Sequence, residues 1–177
     1  MVTPYTHGAF GLGLGKVFTS QRMPVLFWVL ALLLPIAPDF DVFFERPYGS
    51  IWGHRGFTHS LFVAVVAGLL AAASTFKYFK MPFWRLAGFF FAITASHGVL
   101  DAFTNGGFGI PFFWPFDDHR FGPWGPIQVQ DIGFEIPDPR ISRSIRTELL
   151  WVWLPTGLLV ALVVVYRRFG RRQKISP

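Results

Sequence analysis

Residues 149–166 read LLWVWLPTGLLVALVVVY, eighteen positions without a charge, closed by Arg167 and Arg168. At 1.5 Å per residue a helix of that length spans about 27 Å, enough to cross a bilayer core. Three further apolar stretches lie upstream. Phe83 to Leu100 is interrupted by Arg85 near its start and His97 near its end. Leu61 to Phe76 is rich in Ala, Val and Leu, and Pro24 to Ala37 is shorter. A fifth, Ala9 to Phe18, is broken by Gly11, Gly13 and Gly15. Composition points the same way: of 177 residues, 52% are hydrophobic, 19% aromatic and only 15% charged. A soluble domain carries about 25% charge. Disorder, coiled coil, collagen and most soluble enzymes are excluded. The expected fold is an all-α multi-pass membrane protein with four to five transmembrane helices.

Orientation follows from the placement of Lys and Arg, which favour the cytoplasmic side. Lys77, Lys80 and Arg85 mark one connection, and Arg167, Arg168, Arg171, Arg172 and Lys174 mark the basic tail 167–177. Both are expected in the cytoplasm, as is the turn at Thr19 to Arg22. Pro38–Ser60 and Asp101–Glu148 then lie outside. Five crossings put the N-terminus outside; if Ala9–Phe18 does not cross, there are four and it lies inside. The net charge of +6 therefore reads as topology, with no nucleic-acid partner. No basic residue precedes Lys16, so residues 1–15 do not read as a signal peptide. With no cysteine, thiolate metal sites are excluded.

The chain reads as one membrane-embedded domain, 1–177, with a metal-site core at about 5–116 and a last transmembrane helix at 149–166. The segment 101–148 holds Pro111, Pro115, Pro123, Pro126, Pro137 and Pro139, too many for a long helix. It is expected to fold as an outer cap, with a short strand at Ile127–Asp131 where apolar and polar residues alternate.

The ionisable residues converge. Asp39 and Asp41 end one span, His54 and His59 precede the next, and His97 and Asp101 close a third. All six fall at one membrane face, joined by His7 if Ala9–Phe18 crosses. His97 and Asp101, four apart, share a helix face and can hold one cation. Imidazole with carboxylate suits zinc and similar divalent ions. An ionisable residue inside an apolar run is costly and marks function. Taken singly, each of these residues could be a packed histidine or a solvated loop charge; their convergence argues for a metal site. Gly11 and Gly15 form a G-x-x-x-G pair suited to helix packing.

Four motifs in order, Thr6-His7, Pro38-Asp39-Phe40-Asp41, His54-Arg55-Gly56-Phe57-Thr58-His59-Ser60 and His97-x-x-x-Asp101-x-x-Thr104-x-x-Gly107, resemble the YdjM family of membrane-bound proteins. The resemblance covers about residues 5–116 and implies a metal-dependent hydrolase. That family is in turn distantly similar to the zinc-dependent phospholipase C and P1 nuclease group, which implies phosphoester hydrolysis with one to three metals. On this reading one or two zinc ions sit among His7, Asp39, Asp41, His54, His59, His97 and Asp101. Asp39 or Asp41 accepts a proton, and Arg55, or less so Arg120, holds phosphate oxygens. His119 is a candidate contact from the cap. The expected substrate is a lipid or lipid-linked phosphate at the outer face of a bacterial or archaeal inner membrane. Two rivals remain: a metal-braced structural or assembly protein, and an ion or proton transporter.

Overall fold

The computed structural model describes residues 2–44, 46–128 and 139–173. It is all-helical, with no strand among the described residues. Helix α1 is Pro4–Phe18 and α2 is Val25–Leu33, followed by a 3-10 helix at Ala37–Phe44 and a 3-10 turn at Phe57–His59. Helix α3, Leu61–Phe79, and α4, Phe83–Ala102, form a tight hairpin. Helix α5, Pro139–Glu148, runs through a π turn at Leu149–Trp153 into α6, Leu154–Gln173.

Three described stretches are long and apolar enough to cross a membrane: Leu61–Phe79, Phe83–Ala102 and Arg143–Phe169. A fourth is a bent pair, Val25–Leu33 with Ala37–Phe43, turned by 54°. The expected span from Pro24 to Ala37 is thus broken, and its 3-10 half carries Asp39 and Asp41. Helix α1 has fifteen residues, about 22 Å, and ends at Phe18 without continuing to Arg22.

Local signals set the helix ends. Pro4 opens α1 at a position where a missing N–H costs nothing. Ser60 caps α3, its Oγ accepting from the Val63 N–H at 3.2 Å. Lys80, left-handed at φ 52°, ends α3 and turns the chain into α4.

Between lipid-embedded helices, small residues permit close backbone approach where apolar burial gives little drive. Gly11 lies directly on the Ala31 carbonyl of α2, leaving no room for a Cβ, while Gly15 faces the Trp28 ring. A Cβ on Gly68 of α3 would sit 2.7 Å from the Phe91 nitrogen of α4. The G-x-x-x-G pair is therefore a packing face. Phe27, Leu86, Phe90 and Ile93 fill the core beside it.

The described part of the segment after α4, residues 103–128, is built of loops, as its prolines require. Its ladder contacts are isolated bridges, Thr104 with Ile127 and Ile110 with Phe121. Ile127 is thus bridged but starts no described strand, and residues 129–131 of the expected strand lie outside the described residues. Helix α5 differs from the expectation too: the last helical run begins at Pro139, ten residues before the apolar stretch.

Candidate metal centre

Three elements, the 3-10 helix, the 3-10 turn and α4, bring four His and Asp side chains to one end of the bundle. Asp39, His59, His97 and Asp101 each offer one atom, all within 4.8 Å of one another. His97 Nε2 lies 2.9 Å from His59 Nε2 and 3.3 Å from Asp39 Oδ1. His59 Nε2 lies 3.9 Å from Asp39 Oδ1 and 3.9 Å from Asp101 Oδ2. A tetrahedral zinc with ligands at about 2.0–2.1 Å has ligand–ligand edges of about 3.3 Å. The four atoms span distances of that order, with modest adjustment.

Hydrogen bonding supports the fit. Both oxygens of Asp39 and Oδ2 of Asp101 are buried without a hydrogen-bond partner. Buried carboxylate oxygens in that condition are expensive, and a cation between them would remove the cost. The two ligand histidines are fixed from behind. His97 Nδ1 sits 2.7 Å from the Pro35 carbonyl, so that nitrogen carries the proton and Nε2 is the free donor. His59 Nδ1 lies 3.3 Å from Asp41 Oδ2, which orients its Nε2 in the same way. Such outer partners fix the tautomer of a ligand histidine. Burial, aided by the nearby His97, pushes the His59 imidazole down to about 4, so it is neutral and able to ligate at neutral pH.

A second group, Asp41, His54 and His59, adjoins the first through the shared His59 ring. Asp41 takes His54 Nδ1 at 2.7 Å and the Thr58 hydroxyl at 2.6 Å. Asp39 and Asp41, two apart on a 3-10 helix, thus serve different groups. The His54 side chain is 13% exposed, against 8% or less for Asp39, Asp41, His59 and Asp101.

His7 is fully buried and stacks on His97 with ring centroids 3.9 Å apart. Its Nε2 is 3.6 Å from Asp101 Oδ1, and neither ring nitrogen has a hydrogen-bond partner. It stands beside the four-ligand group, outside it. Arg55, 1% exposed and left-handed at φ 62°, points inward. Its Nε lies 3.3 Å from Asp101 Oδ2, Nη1 donates to the Gly106 carbonyl and Nη2 to the Thr104 hydroxyl. Gly107, at φ +96°, packs so closely on Arg55 Nη1 that a Cβ would overlap it. That contact gives a physical reason for the glycine of the fourth motif. Arg120 donates to the carbonyls of Arg55, Gly109, Gly49 and Ser50, fastening the cap to the histidine loop. His119 is exposed and packs edge-on against Phe121, away from the cluster.

Sequence reading missed Glu148. It is 2% exposed and accepts from the Thr3 N–H at 2.9 Å, the Thr3 hydroxyl at 2.5 Å and the Thr6 hydroxyl at 2.6 Å. The same N-terminal turn brings the Val2 N–H to Asp101 Oδ1 at 2.9 Å and sets His7 on His97. The available signal was a lone acid directly before the last apolar run. Nothing in the sequence pairs it with Thr3 and Thr6.

Comparison with known proteins extends the resemblance. The model of the family described as YdjM inner membrane protein matches residues 1–172, taking in the cap and the last helix. The chain is 36% identical over 173 residues to the inner membrane protein YbcI of Escherichia coli (strain K12), covering 95% of this chain and 100% of that one. No solved structure matches.

Proposed function

The chain belongs to the YdjM inner membrane protein family, and from that premise we propose that it is a metal-dependent hydrolase. The observation that carries the metal is the convergence of ligand atoms from Asp39, His59, His97 and Asp101, with both Asp39 oxygens and Asp101 Oδ2 buried and lacking a hydrogen-bond partner. A divalent ion held there, zinc by its ligand chemistry, would supply Lewis acidity and lower the pKa of bound water from about 15.7 towards 7.

The chain's own residues divide the remaining work. His97 and His59 present Nε2 because Pro35 and Asp41 hold their other nitrogens. Asp41 and His54, in contact at 2.7 Å, form the proton-accepting pair, since His54 is the more exposed member of the site. Arg55 acts through Asp101, steadying a ligand carboxylate instead of gripping a phosphate. Arg120 is likewise occupied by four carbonyls. A substrate anion would therefore have to approach from the His54 side, where a metal held by the four residues would add positive charge.

The substrate reading, a phosphoester or lipid-linked phosphate at the outer face, has two supports. One is the His-x-x-x-Asp spacing of His97 and Asp101 on one helix, read as a distant resemblance of the family to the phospholipase C and P1 nuclease group. The other is the site's setting at one end of the spanning helices, near exposed Phe40, Phe43, Trp52 and Phe116. Aromatic residues of this kind favour the headgroup level. Orientation rests on the Lys and Arg bias, which puts the C-terminus in the cytoplasm.

One observation favours a structural alternative: no residue of the four-ligand group exceeds 7% exposure, and closed sites tend to brace folds. A single experiment separates the two. Metal content of the purified protein is measured, and phosphatidic acid, lipid pyrophosphates and nitrophenyl phosphates are screened with and without chelator. Turnover lost to chelator and restored by zinc supports the hydrolase. Stoichiometric metal with no turnover supports bracing, and absence of metal overturns both.

A further inference from the structure

The opposite end of the bundle holds a basic cavity that the metal chemistry does not use. It measures about 220 Å³ and is lined by Lys16, Thr19, Ser20, Val164, Arg167 and Arg168. It lies between the last turn of α1 and the last turns of α6, at the membrane-facing limit of both helices.

Two features decide what it can take. The first concerns Arg167, whose guanidinium is committed to the end of α1. Nη1 donates to the Lys16 carbonyl at 2.9 Å and the Thr19 carbonyl at 3.1 Å, and Nη2 to the Val17 carbonyl. The last carbonyls of a helix carry its negative partial charge. Arg167 covers that charge and so removes the repulsion an anion would otherwise meet there. The exposed Lys16 and Arg168 side chains remain as the cavity's cationic groups, with the Thr19 and Ser20 hydroxyls beside them.

The second feature is the absence of competitors. None of the chain's ten acidic residues lies in segments 1–38, 46–100 or 149–177, from which this end is built. The same segments supply Lys77, Lys80 and Arg85 nearby. Basic pockets between transmembrane helices are suited to anionic lipid heads, and Lys with Arg forms short charge-assisted bonds to phosphate oxygens. Further along the same seam between α1 and α6 the lining is mostly apolar, a second cavity of about 240 Å³ walled by Ala9, Phe10, Gly13, Gly157 and Val160 among others. A ligand with a phosphate head and acyl chains matches both parts.

We propose that this cavity is a binding site for the phosphodiester head of an anionic phospholipid, with Lys16 and Arg168 as its contacts. The site is independent of the metal centre. It is separated from it by the length of α1, and its test does not involve hydrolysis.

The test uses the full-length protein in detergent, titrated with phosphatidylglycerol, cardiolipin or phosphatidylcholine and read by native mass spectrometry. Wild-type protein is expected to retain the two anionic lipids in preference to phosphatidylcholine. The double variant Lys16→Gln/Arg168→Gln should bind them about 25-fold more weakly, from two basic residues each contributing about fivefold. Lys77→Gln/Lys80→Gln removes the same charge from the same end without touching the cavity, and should bind as wild type does. Equal loss in both doubles would mean net charge alone, and would overturn the site. Inorganic phosphate bound as tightly as the lipids would make it a free-anion site and overturn the lipid assignment. The single variants carry the same test, at about fivefold each, should the double fail to assemble.

Discussion

The two ends of the bundle treat charge in opposite ways. At the ligand end, charged side chains are buried and matched inside the protein: Asp101 meets Arg55, the Val2 N–H and His7. At the basic end the described ones are largely exposed; Arg167 is tied to three carbonyls at the end of α1, and Arg85 reaches the Phe18 carbonyl at 3.5 Å. A buried charge that loses its partner is costly, whereas an exposed one is screened and cheap to remove. The difference teaches where function concentrates. The ligand end has accepted the expense of burying carboxylates and histidines, several of whose polar atoms lack a hydrogen bond, whereas the basic end keeps its charges largely at the surface.

The comparison assumes that the ends face opposite sides of the membrane, which is the largest effect to test. The chain has no cysteine, so single cysteines report cleanly. Thr3, next to the N-terminus, is a poor choice because its hydroxyl and N–H are bound by Glu148. Tyr5, 64% exposed, serves better, paired with Lys80→Cys at the other end. An impermeant reagent added outside intact cells should label Tyr5→Cys and leave Lys80→Cys untouched. Labelling of both from one side would collapse the comparison and reduce α1 to a non-spanning helix.

Within the ligand end, His97→Ala and Asp101→Ala should both abolish metal binding yet differ in stability. In the sequence the two are equivalent, four residues apart at a helix end. In the structure Asp101 also balances Arg55, which is 1% exposed. Removing it strands a buried guanidinium, at a cost of about 3–5 kcal/mol. His97→Ala leaves no charge unpaired, so its yield and thermal midpoint should stay closer to wild type. Metal analysis with thermal denaturation in detergent checks both. Equal stability of the two variants would show that Arg55 finds another partner.

Much of this was legible from residue types and spacing. The spans are long apolar runs, and the candidate ligands are ionisable residues stranded at their ends, a pattern that survives without knowing any contact. What stayed hidden depends on partners far apart in sequence. The bend after Leu33 was invisible because Pro24 to Ala37 is apolar throughout. Arg55 looked available for phosphate because nothing local shows that it turns inward onto Asp101. Helix α5 was masked by the prolines before it, although Arg140, Arg143 and Arg146 recur at helical spacing.

Glu148 tests how far the ligand end extends. The last helix supplies none of the four ligands, yet Glu148 holds the turn that carries Val2 and His7 to Asp101. Glu148→Ala would leave the Thr3 and Thr6 donors without their acceptor, and Asp101 would lose its fixed position. Outer partners of metal ligands typically contribute 10–100-fold to affinity. A drop of about tenfold in zinc affinity is expected, measured by competition with a chelating dye, with partial recovery in Glu148→Gln. An unchanged affinity would confine the metal centre to the chain up to the end of α4.

The smallest effect belongs to His119, adjacent in sequence to a residue of the opposite kind. Arg120 turns inward and binds four carbonyls, so the cap's attachment runs through it. His119 turns outward. Its N–H bonds Asp117 Oδ1 at 2.8 Å, and its ring meets only the edge of Phe121, with centroids 4.9 Å apart. The backbone contact survives substitution, and an exposed edge contact contributes little. His119→Ala should therefore leave metal affinity and any turnover within about twofold of wild type, in keeping with the near-neutral effect of most surface changes. A loss as deep as that of His97→Ala would mean that the cap closes over the ligand end during reaction. The exposed rim of aromatic residues would then belong to the site, and the boundary between buried, matched charge and solvent would have to be redrawn to include it.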